Sequence, residues 1–248
     1  VIIKEGTISG NKANVEGGGL CNLGTAIING GTISGNNADY GSGIYNNNGK
    51  VIMSKGTISG NTAVKSGGGI DNNKGILTMS GGEISGNSGG GVYCSGTLNV
   101  KGATKIIDNG ENKNNVSFSS ENCYITIEGE FTGQIGVKQA FDQVAVRPAK
   151  GYVITKDDLS HFKADSEDAH LSLVGNNILY VKNKTEWGKV VQIDGVTYYV
   201  NENGRASAEI IGNAETWLNT KIDGSGSWCG IDNSEKVFKT GSRFYFQV

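Results

Sequence analysis

The sequence predicts an all-β chain: a right-handed parallel β-helix with coils of about 25 residues, an irregular C-terminal cap and a small C-terminal β piece. Three observations carry this. First, Gly6-Thr7-Ile8-Ser9-Gly10-Asn11 recurs from Gly31, from Gly56 and, as Gly82-Glu83-Ile84-Ser85-Gly86-Asn87, from Gly82, in steps of 25, 25 and 26 residues. A fixed period of this size marks a solenoid, in which each repeat packs only on its neighbours. Second, glycine is 40 of 248 residues and the apolar runs are short, which disfavours helices. Third, every period holds three β-prone pieces separated by Gly and Asn. Three short strands per turn describe a parallel β-helix, its coils about 4.8 Å apart.

The first piece of each coil is an apolar triplet: Val1-Ile2-Ile3, Ala26-Ile27-Ile28, Val51-Ile52-Met53 and Leu77-Thr78-Met79. Successive side chains of a strand point to opposite faces, so the outer two residues face inward and Ile2, Ile27, Ile52, Thr78 and Asn99 face outward. Three stacked outward Ile residues make an apolar strip, which soluble proteins seldom leave bare. The C-terminal residues 186–248 folding back, or a partner chain or preceding segment, are the two expected covers, and the second is favoured because the first needs a long reach. The second piece, Thr-Ile-Ser, places Ile8, Ile33, Ile58 and Ile84 in one interior stack. The third comes after the Gly-rich steps and stacks Leu20, Ile44, Ile70 and Val92. Leu98-Asn99-Val100 opens a fifth, degenerate coil that continues to Ile106-Ile107-Asp108-Asn109, giving about five coils over residues 1–115. Right-handed crossovers are the general preference. Asn11, Asn36, Asn61 and Asn87 recur at one corner, as an amide ladder requires, where a left-handed backbone suits Asn.

The character of the chain changes at Asn115. All seven Phe and all three Trp lie beyond it, while 27 of the 40 Gly precede it. Tyr124–Ile127, Ile135–Val137, Leu171–Val174 and Asn177–Val181 still read as strands, and Asp157 to Phe162 as a helical turn with an acidic start. An open solenoid end needs covering, so residues 116–182 are expected to form the last irregular coils and a cap. Lys182–Thr185 reads as a linker. Residues 183–248 read as a small β-rich region, with a hairpin at Val196–Val200 leading into Asn201-Glu202-Asn203-Gly204.

Net charge is −2 and the pI is about 5.8, so nothing points to nucleic acid. No run of 18 apolar residues is present, so no membrane span is expected. The chain opens inside an apolar strand and reads as a piece of a longer protein, so the lack of a leader carries no information. Cys21, Cys94, Cys123 and Cys229 show no CxxC or metal-site spacing. Cys21 and Cys94 lie three coils apart, about 14 Å, beyond disulfide reach. Free, mostly buried thiols and no cofactor or metal are expected.

Beside the inward third stack, Cys21, Tyr45, Asp71 and Tyr93 face outward. This row varies while its neighbours repeat, as a face free to acquire contacts would. Tyrosine stacks well on sugars and apolar ligands. Tyr45, Asp71 and Tyr93 are therefore candidate ligand-binding residues, joined by the aromatic Trp187, Trp217 and Trp228; a solvated face without a partner is the plain alternative. Polysaccharide lyases and hydrolases on this architecture need clustered carboxylates. Here Asp71 and Glu83 stand alone, the three Arg residues lie outside the repeats, and His161 and His170 lack a partner at recognisable spacing. No catalytic residue is expected, and a polysaccharide-active enzyme is the alternative reading. The Thr/Ser rows are too short and irregular for ice binding. Asp71 alone makes no calcium repeat, and the Gly steps precede no helix that would bind phosphate.

The pattern Ile-Ser-Gly-Asn-x-Ala…Gly-Gly-Gly-Ile, seen from Ile58 to Ile70, resembles the polymorphic outer-membrane and adhesin type of repeat. Residues Val116–Val181, with Ile125 to Val137, Phe162-x-x-Asp165 and Ile178-Leu179-Tyr180-Val181, resemble the segment found after such repeats in large secreted or wall-anchored proteins of Gram-positive gut bacteria. Gln192 to Gly204 is similar to one cell-wall-binding repeat of the choline-binding type. The resemblance implies an extracellular, cell-surface or secreted location and an adhesin-like, non-catalytic module that presents its surface to host or environmental glycans or surface proteins.

Overall fold

The structure is a computed structural model. It describes residues 1–182 apart from 112–113, 121 and 140–142, together with the strands Lys189–Ile193, Val196–Val200 and Ala206–Ser207. It is an all-β solenoid of stacked parallel coils, and the one described helix is Lys156–Ser160. In the first sheet Ile3 pairs with Ile28, and the stack continues through Met53, Met79, Val100 and Ile127. The second sheet stacks Ile8, Ile33, Ile58, Ile84, Ile106, Ile135 and Phe162. The third stacks Leu20, Ile44, Ile70, Val92, Val116 and Val137. These stacks make one core, closed near the C-terminal end by Phe131, Ile178 and Tyr180. Alternation therefore sorts inside from outside as the sequence indicates.

Two details differ from the sequence expectation. Thr25–Ser34 and Lys50–Ser59 are single ten-residue strands that run through the bend between the first and second sheets. A register shift at Asn29 absorbs the turn, so one backbone ladder serves both sheets. At the asparagine corner, the left-handed residue is the one before the Asn: Gly10, Gly35, Gly60 and Gly86 have φ between 63° and 68°, and Asp108 takes this place at 54°.

The asparagine ladder is directional. Asn11, Asn36, Asn61 and Asn87 each donate a backbone N–H and a side-chain Nδ2–H to Oδ1 of the Asn in the following coil, at 2.9–3.0 Å for the first three steps. Asn109 passes the same pair to Asn115. Asn115 then donates to Asp165, N–H to Oδ2 at 2.8 Å and Nδ2 to Oδ1 at 2.9 Å. A carboxylate only accepts, so it suits a last rung that must receive both donors. A second ladder, missed in the sequence, runs Asn22 to Asn46 to Asn72 at 2.7 Å per step and ends on the Cys94 thiol at 3.5 Å.

Beyond residue 115 the stacking continues. Ile125–Phe131 joins the first sheet, and Gln134–Lys138 serves the second and third at once. Gln143–Pro148 pairs parallel with the first of these and antiparallel with Asn177–Lys182, which forms a hairpin with Ala169–Val174. The helix is one residue earlier at its start and shorter than expected, ending at Ser160. Thr155 caps it, with a reciprocal bond from its backbone N–H to Asp158. Lys182 belongs to a strand rather than a linker, and residues 183–185 lie outside the described residues. Val196–Val200 pairs antiparallel with Lys189–Ile193 and with Ala206–Ser207, as the hairpin pattern implies.

Among the described residues, no helix is long and apolar enough to cross a membrane. Cys21, Cys94 and Cys123 are free. Cys21 is exposed, contrary to the expected burial, because it lies on the outer row of its strand. Burial, its largest cause, pushes the Cys94 thiol up to about 11. Cys229 lies outside the described residues.

Candidate functional site

The row Cys21, Tyr45, Asp71, Tyr93 exists: these residues pair in register across four coils, and Ser117 comes next. Their exposure departs from expectation. Tyr45 is 6% exposed and Asp71 3%, although both point away from the coil interior. The cover comes from the stretch between the ladder Asn and the third sheet. From Asn to the inward apolar residue the chain advances 9, 8 and 9 positions in coils one to three (Asn11 to Leu20, Asn36 to Ile44, Asn61 to Ile70). This is long enough for an arm. Asn37–Tyr40 and Thr62–Ser66 form a parallel two-stranded pair of their own, and Lys12 and Glu16 bridge to Asn37 and Tyr40. Ser42 knits the arms together, its Oγ accepting from Ala38 N–H at 2.9 Å and donating to the Thr62 carbonyl at 2.6 Å.

Each arm then folds back on the strand after it. Gly41 and Gly67 have φ of 55° and 62°. A Cβ at Gly41 would lie 2.5 Å from the Ile44 carbonyl oxygen, and one at Gly67 would lie 2.7 Å from the Asp71 nitrogen. Only glycine allows that approach, and the approach is what lays the arms over Tyr45 and Asp71. In coil four the distance from Asn87 to Val92 is five positions, too few for an arm. Tyr93 is therefore only partly buried, at the margin where the cover ends.

Within the site, Ser66 Oγ donates to Asp71 Oδ2 at 2.7 Å, and Asn73 Nδ2 donates to the Tyr45 hydroxyl at 2.8 Å. Burial, aided by the charge of Glu16 and opposed by the Ser66 bond, pushes the Asp71 carboxyl up to about 6. Burial also raises Tyr45 and Tyr93, and Asp71 adds to the rise at Tyr93. At the rim, Lys65 lies 3.2 Å from Asp39 and 4.8 Å above the Tyr40 ring; an exposed pair of this kind contributes little. The site is an aromatic and acidic shelf, covered at Tyr45 and Asp71 and open at Tyr93 on one side and at Cys21 on the other.

Of the residues picked out in the sequence, the fold brings Tyr45, Asp71 and Tyr93 together. Trp187, Trp217 and Trp228 lie outside the described residues. Sequence reasoning missed Glu16, Tyr40 and Ser66, which come from the arms; the shortened Asn87–Val92 interval was the available signal. Ile2, Ile27 and Ile52 do face outward in one stack, with Ile3, Ile28 and Met53 inside. Ile2 is exposed, and Ile27 and Ile52 are half-buried. Among the described residues no group of three His, Cys, Asp or Glu is placed to hold a metal. His161 packs edge-on to Phe131 at 5.9 Å and, with Asp108, Gln134 and Lys163, borders a second depression of about 260 Å³ near the C-terminal end of the second sheet.

No family model, curated protein or solved structure matches this chain.

Proposed function

We propose that this chain is a non-catalytic, adhesin-like module of a large secreted or cell-surface bacterial protein, a β-solenoid stalk that presents its side to host or environmental glycans or surface proteins. The observation that carries this reading is the shelf at Tyr93 and Asp71, where the arms stop and an aromatic face stands beside a buried carboxyl. A sugar ring stacks on an aromatic face of this kind, which Tyr93 offers, while Asp71, covered and bonded to Ser66, lies beneath it and holds the shelf in place. The bacterial and extracellular setting rests on the resemblance of the Ile58–Ile70 pattern and of Val116–Val181. Trp187, Trp217 and Trp228 enter the proposal as further aromatic contacts.

A glycan array probed with the whole chain tests it. Binding that falls at least tenfold in Tyr93→Ala and in Asp71→Asn, while Glu83→Gln binds normally, supports the shelf. Equal binding by all three variants, or no binding to glycans or mucins, overturns it. Depolymerisation of pectin, alginate or a glycosaminoglycan, lost in Asp71→Asn, would favour a polysaccharide-active enzyme instead, since a carboxyl near 6 suits a general acid.

A further inference from the structure

We propose that the shelf takes an acidic glycan: one sugar ring stacks on Tyr93, and a carboxylate or sulfate on the neighbouring sugar pairs with Lys138. This inference rests on the glycan-binding reading and adds to it the charge of the ligand and the residue that selects it. Three observations carry it.

The first is the continuation of the outer row. Tyr93 pairs in register with Ser117, and Ser117 with Lys138. The residues before them, Val92, Val116 and Val137, are buried in the core. Side chains alternate along a strand, so Tyr93, Ser117 and Lys138 stand on one outer face, and all three are partly exposed. Two steps of a parallel ladder span about 10 Å. An aromatic ring, a hydroxyl and an ammonium therefore follow one another over a length that suits a disaccharide.

The second is the polar row beside it. Ser95 and Ser119 lie two residues beyond Tyr93 and Ser117 on their strands, with backbone N–H groups bonded to the carbonyls of Asn72 and Cys94. Ser119 is exposed and Ser95 partly so. Hydroxyls both donate and accept, so these two and Ser117 can meet sugar hydroxyls on either side of the stacked ring. The arm that covers Tyr45 and Asp71 does not extend here, because Asn87 to Val92 is too short to form one.

The third is the distribution of charge, and it selects the ligand. The acids lie at the covered end of the row: Asp71 is under the arm, and Glu16 is close enough to act on it. Lys65 at that rim is already paired with Asp39 at 3.2 Å. Lys138 stands at the other end and has no ion-pair partner among the described residues. The field along the row thus runs from negative at Asp71 to positive at Lys138, across Tyr93. A neutral glycan gains nothing from that direction. An acidic one is held with its anionic group at Lys138 and away from Asp71, where the ammonium can make a charge-assisted hydrogen bond.

The test measures binding of the whole chain to three probes: an oligogalacturonate, the same oligosaccharide methyl-esterified at every carboxyl, and a neutral oligosaccharide carrying sulfate. The expected result is that the oligogalacturonate, the sulfated probe or both bind roughly tenfold more tightly than the ester, and less so as salt is raised. Whichever binds identifies the anionic group. Lys138→Met should remove the advantage and Lys138→Arg should keep it. Lys74→Met, a cation off the row at the corner after Asn73, should change nothing. Tyr93→Ala should weaken every probe. Equal binding of acid and ester, or binding confined to neutral glycans, with loss in Tyr93→Ala, overturns this inference and leaves the glycan-binding reading standing. So does an acid preference that survives Lys138→Met or vanishes in Lys74→Met. If neither these probes nor any glycan or mucin binds, both fall.

Discussion

Coils one to three and the coil at residues 125–138 turn the same corner with very different lengths of chain. Ten residues separate the inward Ile33 from Ile44, and eleven separate Ile58 from Ile70, whereas Gly136 alone separates Ile135 from Val137. The stacks stay in register in both regions. What the core requires is the spacing of inward side chains between coils, fixed by the parallel ladder. The corner lies outside that constraint and can be cut to one residue or grown into an arm. Only where it is long does it fold back over the outer row, so burial of Tyr45 and Asp71 is a property of the arms and not of the coils themselves.

Inner and outer positions of one coil should differ most in what they contribute. Ile58→Ala, at 0% exposure in a middle coil, should cost about 2–5 kcal/mol, while Ile52→Ala on the outer face of the same coil should cost less than about 1 kcal/mol. Urea unfolding of the two variants separates them; equal losses would mean that the inner stacks are not what holds the coils.

The arms come next. Gly67→Ala must place a methyl group 2.6 Å from the Ile70 carbonyl oxygen at a φ of 62°, and about 2 kcal/mol or more is expected. Gly86→Ala has a similar φ of 63° with nothing within 4 Å, so about 1 kcal/mol is expected from the backbone alone. Similar melting temperatures for the pair would show that the arms are not seated on the outer row.

The ladder offers a third contrast. Asn61→Ala strands buried donors and acceptors at both neighbouring rungs and should cost about 1–3 kcal/mol. Asn11→Ala, at the open end with one ladder neighbour, should cost less than about 1 kcal/mol. Denaturant midpoints that rank the two the other way would refute a ladder that works rung by rung.

The smallest effect concerns pH. The folded-state carboxyl of Asp71 lies above its ordinary 3.8, at about 6. The folded protein thus holds this proton more tightly than the unfolded chain. Its contribution to stability is present at low pH and is lost as pH rises through about 6. The wild-type melting temperature should therefore gain from Asp71 on going from about pH 7 to about pH 5, and Asp71→Asn should remove that gain. An unchanged pH difference in the variant would place Asp71 in open solvent, uncovered by the arm of Ser66.

Much of this molecule was legible in its sequence, because a solenoid is built from local rules repeated. The period, the strand phase and the identity of Ile8, Ile33, Ile58 and Ile84 as one stack derive from spacing and from the two-residue alternation of a strand. The corner Asn residues were legible as a ladder, since the same amide recurs once per coil. The second ladder at Asn22, Asn46 and Asn72 was not, because two of its rungs lie in Asn-rich stretches, Asn46 to Asn48 and Asn72-Asn73, where neighbouring residues had equal claim.

Local pattern was enough to set what the coils share: inward apolar positions, the approximate extent of each strand and the absence of long helices among the described residues. The cover on the outside needed the folded chain. Tyr45 and Asp71 alternate with core residues and so read as exposed, yet they are buried by arms whose path depends on glycine conformation at Gly41 and Gly67 and on contacts between neighbouring coils. Periodicity reports which face of a strand a side chain takes. Whether another segment covers that face is set by packing between residues distant along the chain, which periodicity does not encode.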